Sequence, residues 1–383
     1  MPVSKFAQRI DKALQSRREA GLSRALQPVI AGNQTELECD GRRFFNFSSN
    51  DYLGLAHDPE LLKAWQQGLS IYGSGSAASP LVTGFSHAHQ NLESALCDWL
   101  GYDRAILFSS GFSANQAVLF SLLQPGDRVI QDKLNHASLI EAGILSPATM
   151  RRFRHNDISH LQPMLRKDCV NLVVTEGVFS MDGDCAPLVD IEAACGEHSW
   201  YMVDDAHGVG VLGEEGRGSC SAARVHPDIL VVTFGKAFGL SGAAILCSEM
   251  LGDYLTQFAR HHVYSTAMPP AQAHATTHAI SMIRSQQWRR DKLGELSALY
   301  HKELQDLNEY RATSTPIKPF VVGSSTRVVA MADYLRQQGL WVTPIRPPTV
   351  ATNTARLRIT LTANHTIKQI KTLAAGLRQA IQQ

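Results

Sequence analysis

The sequence predicts an α/β fold: a mostly parallel central sheet sandwiched by helices, with a smaller α+β C-terminal domain after it and an N-terminal helical segment before it. Three observations carry that expectation. From about residue 90, helical stretches (HQNLESALCDWLG, then SANQAVLFSLL) alternate with short apolar runs, AILFSS at 105, RVIQD at 128, NLVVTE at 171, WYMVDD at 200, ILVVTF at 229 and GAAILCS at 242. Apolar strands separated by helices build a mostly parallel sheet covered on both faces. Residues 271–306 are polar and helical with no strand among them, and beyond them apolar runs return as KPFVVG, LWVTPIR and ARLRITLT.

At the start of the chain, Phe6, Ile10, Ala13 and Leu14 recur at helical spacing with basic residues between them, so residues 4–20 read as an amphipathic helix covering a larger domain. The expected organisation is an N-terminal helix with short strands over 1–50, a large domain over 51–275 and a small α+β domain over 276–383. No repeat or low-complexity segment interrupts it.

Composition narrows the function. Of 383 residues, 44% are apolar and 19% charged, as in an ordinary folded protein. Lys and Arg total 36 against 35 for Asp and Glu, so no bulk field draws the chain to nucleic acid or membrane, and small-molecule partners are expected. Seven scattered cysteines without a C-x-x-C suggest neither a disulfide framework nor a zinc ribbon and fit a cytoplasmic setting. The first residues lack an apolar signal region, and no apolar run approaches the ~18 residues of a membrane span.

Two strand ends carry the chemistry. In VVTFGKAFGLSGAAI an apolar strand ends at Phe234 and Lys236 follows, with Gly235, Gly239 and Gly242 leaving room for a bulky ring. The carboxyl end of a parallel strand is where α/β folds bind ligands, and partial burial favours the neutral amine that a Schiff base needs. In WYMVDDAHGVGVLGEEGRG a second strand ends in Asp204, Asp205 and His207. Alone, Lys236 reads equally as an exposed loop lysine and the acids as caps or metal ligands. Together they satisfy pyridoxal phosphate, which needs a lysine for its aldehyde and a carboxylate to keep its ring nitrogen protonated; Lys236 and Asp204 supply both.

The phosphate needs oriented donors, and FSSGFSANQAVLF places Gly111 and Phe112 at a helix start, with Thr233, Ser265 and Thr266 in support. NHASLIEAG gives His136 at the start of another helix, suited to stacking on a pyridine ring. A dinucleotide site fails: Gly73, Gly75 and Ala78 fit G-x-G-x-x-A, but a polar helix and not a buried strand precedes them. HATTH at 274–278 lacks the glutamate of a zinc-protease helix, so no metal is expected.

The motifs NFSSNDYLGL, NHASL, TEGVFSMDGD, VDDAHGVGVLG and TFGKAFG, in this order and at this spacing, resemble the α-oxoamine synthases, and the resemblance runs from about residue 5 to 380. It implies a fold-type I pyridoxal-phosphate-dependent transferase acting as a homodimer with active sites at the subunit interface. By the same resemblance Lys236 is the Schiff-base lysine and general base, Asp204 the ring-nitrogen partner, His207 the contact to the phenolic oxygen and His136 the stacking histidine, which also faces substrate. Ser180, Thr233, Gly111 and Phe112 match cofactor contacts. Asn50 and Arg358 match positions that hold an amino-acid carboxylate, for which a planar guanidinium is apt, and Arg24 and Thr349 match acyl-substrate contacts.

IRPPTVATNTARLRITLTANH, SSNDYLGL and FARHHVYSTAMPPA point to the branch that condenses L-alanine with a pimeloyl thioester, on coenzyme A or acyl-carrier protein, in biotin biosynthesis. A branch using glycine is the alternative, since one methyl is worth only ~1–3 kcal/mol of discrimination. Two departures fall at the acyl pocket: Pro80 and Leu81 stand where several relatives carry glycine and histidine or arginine, and TVATNTARLR lacks the proline and glycine often found after TV.

Overall fold

The computed structural model describes residues 4–30 and 32–382. Its strands in chain order are β1 (Glu36–Cys39), β2 (Arg42–Asn46), β3 (Arg104–Phe108), β4 (Arg128–Asp132), β5 (Thr149–Phe153), β6 (Asn171–Glu176), β7 (Trp200–Asp204), β8 (Ile229–Thr233), β9 (Ala243–Cys247), β10 (Ile317–Gly323), β11 (Leu340–Trp341), β12 (Thr343–Ile345) and β13 (Ala355–Thr360). Seven of them form one sheet in the order β3-β9-β8-β7-β6-β4-β5. Strands β8, β7, β6, β4 and β5 pair in parallel, while β9 runs antiparallel to both its neighbours. The mostly parallel α/β sheet expected from the apolar runs is therefore the one found.

The middle strands are apolar throughout because helices lie on both faces: every residue of β6 and β9 is buried. Strand β5, TMRRF, escaped the sequence reading. It is the sheet's edge and buries fully only Phe153, so its arginines face solvent and no apolar run betrays it.

Two three-stranded sheets complete the chain, β10-β13-β12 and β1-β2-β11. The first is antiparallel and carries Arg356 and Arg358 on β13. One apolar core cluster runs from Leu92, Val173 and Phe234 of the large unit through Tyr300 to Leu357 and Leu377 of the C-terminal part. Helix Pro270–Ser285 passes through residue 275 unbroken, with Ala271, Ala275 and Ala279 buried. The boundary that the sequence places at 275 thus falls inside a helix. The N-terminal helix Lys5–Glu19 forms as its spacing predicts and is capped by Ser4, but it buries no residue within this chain: Phe6, Ile10 and Leu14 are all more than half exposed. Among the described residues, no helix is long and apolar enough to cross a membrane.

Candidate active site

Parallel strands deliver their carboxyl ends to one edge of the sheet, and here three adjacent ends are chemically loaded. Glu176 closes β6, Asp204 closes β7, and Thr233 closes β8, with Lys236 three residues beyond. Glu176 and Asp204 are register partners, so their side chains stand side by side. All four line a cavity of about 330 Å³ together with Asn50, Gly111, Phe112, Asn115, His136 and His207.

Each side chain is aimed by its element. Asp204 and Asp205 illustrate strand alternation, because successive residues point to opposite faces. Asp204 faces the cavity, its Oδ2 accepting from Asn115 Nδ2 at 2.7 Å and its Oδ1 from the Ala206 N–H at 3.0 Å. Asp205 turns away into a turn of glycines, where it accepts from the Ser219 N–H and hydroxyl at 2.8 and 2.7 Å. A Cβ on Gly177, Gly208 or Gly218 would come within 2.3 Å of the Asp205 carboxylate. Burial pushes Asp205 up to about 7; its task is to knit the turn that carries His207.

Helix Gly111–Leu122 opens onto the cavity, capped by Ser110, whose Oγ accepts the Ser113 N–H at 3.1 Å. A Cβ at Gly111 would sit 2.5 Å from Thr233 Cγ2, so only glycine lets the helix start approach the end of β8. Thr233 Oγ1 is buried and has no partner among the described residues. His136 caps the next helix, Ala137–Leu145, with Nδ1 2.8 Å from Ser138 Oγ, and its ring meets Phe112 edge-on at 6.4 Å.

Opposite them, Tyr52 Oη lies 2.7 Å from His207 Nδ1 and 3.3 Å from Asn50 Oδ1. Asn50 Oδ1 also accepts from Arg358 Nη1 at 3.1 Å, and Arg358 Nε donates to the Ser180 carbonyl at 2.6 Å. Burial pushes the Tyr52 phenol up to about 12. It holds His207 well below the usual imidazole value, aided by the nearby Lys236, Arg358 and His136 charges. The single Tyr52 hydroxyl hydrogen is shared between two neighbours, Asn50 Oδ1 and His207 Nδ1, so the phenol ties the histidine to the Asn50 amide. Lys236 is lowered by burial, against the opposing pull of Asp204 and Glu176, the condition in which an amine serves as nucleophile and base.

The structure therefore gathers Lys236, Asp204, His207, His136, Thr233, Gly111, Phe112 and Asn50 around one cavity. Arg358 is joined to the cavity through its hydrogen bond to Asn50, and Ser180 through its carbonyl's bond to Arg358. Ser265 and Thr266 line a different cavity, which shares Ser109 with the first. Arg24 and Thr349 line a third, of about 270 Å³, with Arg17 and Arg346.

Glu176, Asn115 and Tyr52 were not singled out in the sequence. Glu176 is raised well above the usual carboxyl value by burial first and then by the Asp204 charge, and its Oε1 has no partner among the described residues. Its signal was available, an acid ending an apolar strand as Asp204 does. Asn115 gave a weaker one, an amide on the otherwise apolar face of SANQAVLF.

Residues 42–377 match the family aminotransferase class I and II, and the chain belongs to that family. Within it the similarity narrows sharply. The chain is 64% identical over 377 residues to 8-amino-7-oxononanoate synthase of Vibrio campbellii, covering 98% of each, and 65% identical over 374 residues to that of Vibrio vulnificus, covering 97% of each. Among solved structures, 8-amino-7-oxononanoate synthase from Francisella tularensis is 31% identical with a TM-score of 0.79, over 88% of this chain and 98% of that one. Serine palmitoyltransferase from S. paucimobilis, with a bound PLP–myriocin aldimine, is 28% identical with a TM-score of 0.92, over 99% of both chains.

Proposed function

We propose that this chain performs the reaction its relatives are named for: condensation of L-alanine with a pimeloyl thioester, on coenzyme A or acyl-carrier protein, to give 8-amino-7-oxononanoate and carbon dioxide. The observation that carries the reading is a lysine with a lowered proton affinity, set between a ring-partner carboxylate and a phosphate cradle in one cavity. Pyridoxal phosphate fits the donors present: Lys236 for the aldehyde, Asp204 for the ring nitrogen, and the unpartnered Thr233 hydroxyl with the Gly111 helix start for the phosphate. Once bound, the cofactor supplies an electron sink for the substrate α-carbon.

The protein's own groups then divide the work. Lys236 Nζ takes the proton from the alanine α-carbon and later returns one to it. Arg358, braced by Asn50 and Ser180, meets the substrate carboxylate with its remaining donors. With pyridoxal phosphate bound, His136 would stack on its ring and His207 would face its phenolic oxygen. In atom balance, the α-carbon bonds to the thioester carbonyl carbon, the thiol leaves with a proton, and the bond from the α-carbon to the carboxylate breaks to release carbon dioxide. Arg24 and Thr349, beside Arg17 and Arg346, are assigned to the far carboxylate of the acyl chain.

A homodimer belongs to the same proposal. It is supported by the exposed apolar stripe of the first helix and by exposed Leu81, Val82 and Tyr264; Ser265 and Thr266 would then complete a neighbouring subunit's phosphate site. A cytoplasmic setting is proposed with it.

Titration of the purified holoenzyme with L-alanine and with glycine, followed by visible absorption, tests the reading. A tight alanine response supports it. Preference for glycine moves the assignment to a glycine-using branch, and Lys236→Ala that stays folded yet keeps full turnover refutes it.

A further inference from the structure

Behind the active site a second polar cluster is built with equal care and takes no part in the chemistry above. Asp132, at the carboxyl end of β4, has a fully buried side chain. His155 follows β5 and is one-quarter exposed, and Asp184 lies in the loop after β6. His155 Nδ1 is 3.0 Å from Asp132 Oδ1 and Nε2 is 2.7 Å from Asp184 Oδ2. A carboxylate only accepts, so both ring nitrogens must donate, which an imidazole does only as a cation. Asn156, in the left-handed region at φ 54, adds its backbone N–H to Asp132 Oδ2 at 2.9 Å and its amide to Asp184 Oδ2 at 3.0 Å.

What the cluster holds is a hairpin. Val178 and Cys185 bridge antiparallel, the Phe179 N–H donates to the Asp184 carbonyl at 2.9 Å, and the Gly183 N–H donates to the Phe179 carbonyl at 2.8 Å. The Phe179 ring stands against the His155 ring at 4.4 Å and 88°. The hairpin's far side is tied to the C-terminal sheet, where Ser180 O receives Arg358 Nε, Asp182 pairs with Arg356, and Gly183 O receives Thr315 Oγ1 at 2.8 Å.

We propose that His155, as a cation clamped between Asp132 and Asp184, is a positioning residue that fixes the 178–185 hairpin and thereby the aim of the Arg358 guanidinium at the amino-acid carboxylate. The inference rests on the reading of Arg358 given above. The route has two hydrogen bonds, His155 Nε2 to Asp184 Oδ2 and Arg358 Nε to Ser180 O, joined by one covalent segment from Asp184 to Ser180, so a shift of the hairpin removes one of the guanidinium's two braces.

His155→Gln and Asp184→Asn holoenzymes test it through the amino-acid Kd by visible titration, the KM of each substrate, and thermal melting. The expected result is a rise in amino-acid Kd and KM of roughly three- to thirtyfold, with the thioester KM and the cofactor's visible absorption unchanged. A lowered melting temperature with unchanged amino-acid Kd marks a merely structural cluster and overturns the proposal. If His155→Gln fails to fold, Asp184→Asn decides by the same readings. The comparison uses whichever amino acid the unmodified enzyme binds; binding of glycine alone corrects the substrate reading while still judging this inference, and binding of neither sinks both.

Discussion

The contact between Gly111 and Thr233 offers a sharp perturbation of the phosphate cradle. Gly111→Ala places a Cβ 2.5 Å from Thr233 Cγ2, where ordinary contact begins at 3.4 Å, so the helix start or the threonine must yield by about 0.9 Å. Overpacking of this kind costs ~1–3 kcal/mol. Because the two groups that must separate are those assigned to the phosphate, the cost falls on cofactor affinity, raising the pyridoxal phosphate Kd roughly 5- to 150-fold. The second substitution is dictated by the geometry: Thr233→Ser removes Cγ2, keeps the hydroxyl, and leaves Cβ at a comfortable 3.8 Å. The double variant should recover most of the lost affinity, and a double-mutant cycle read by cofactor absorbance, with melting curves as a control on folding, gives the coupling directly. Unchanged affinity in Gly111→Ala, or a double variant no better than the single one, refutes the cradle as described.

Other consequences are equally direct. If Asp204 is the ring-nitrogen partner proposed above, Asp204→Asn should lower kcat by roughly 10²–10⁴, the range of a lost acid or base; single-turnover proton abstraction measured by deuterium exchange at the alanine α-carbon reads it. Burial first and then the Asp204 charge push Glu176 well above the usual carboxyl value, which favours its protonated form, so Glu176→Gln should change kcat far less than that. A loss as large as that of Asp204→Asn would show the carboxylate form is needed. His155 is opposed by burial but carried up to about 10 by Asp132 and Asp184, above its ordinary value. Its contribution to stability is therefore complete below about pH 6.5 and lost as pH rises through about 10, up to a few kcal/mol at ~1.4 kcal/mol per pKa unit with a discount for partial exposure. Urea unfolding between pH 7 and 10.5 should show this slope in the native chain and a flatter one in His155→Gln.

That Lys236 and Asp204 meet at one cavity was legible because strand ends converge there: an apolar run followed by a lysine, and another that stops at an aspartate, can be found in one dimension. Glu176 obeyed the same rule and was passed over inside TEGVFSMDGD. Partners that depend on chain crossings were not legible. Nothing near Asn115 in sequence announces Asp204, eighty-nine positions away, and nothing in RRFRHND announces that His155 reaches the loop carrying Asp184. The one strand of the large sheet that the sequence hides is where polarity misleads, at the arginine-bearing edge strand β5; at residue 275 a change of composition occurs in mid-helix.

The antiparallel setting of β9 has an entropic consequence. A parallel successor to β8 would have needed a crossover of about a dozen residues or more; reversal instead lets the chain return through residues 234–242 alone. That return is closed by Phe234 N–H to Gly242 O at 2.9 Å, Leu240 N–H to Phe234 O at 2.8 Å and Gly239 N–H to Lys236 O at 2.9 Å. Lys236 thus has its main chain ordered by folding itself, and in the role proposed for it only the torsions of one side chain remain to be frozen, a cost on the order of 2 kcal/mol.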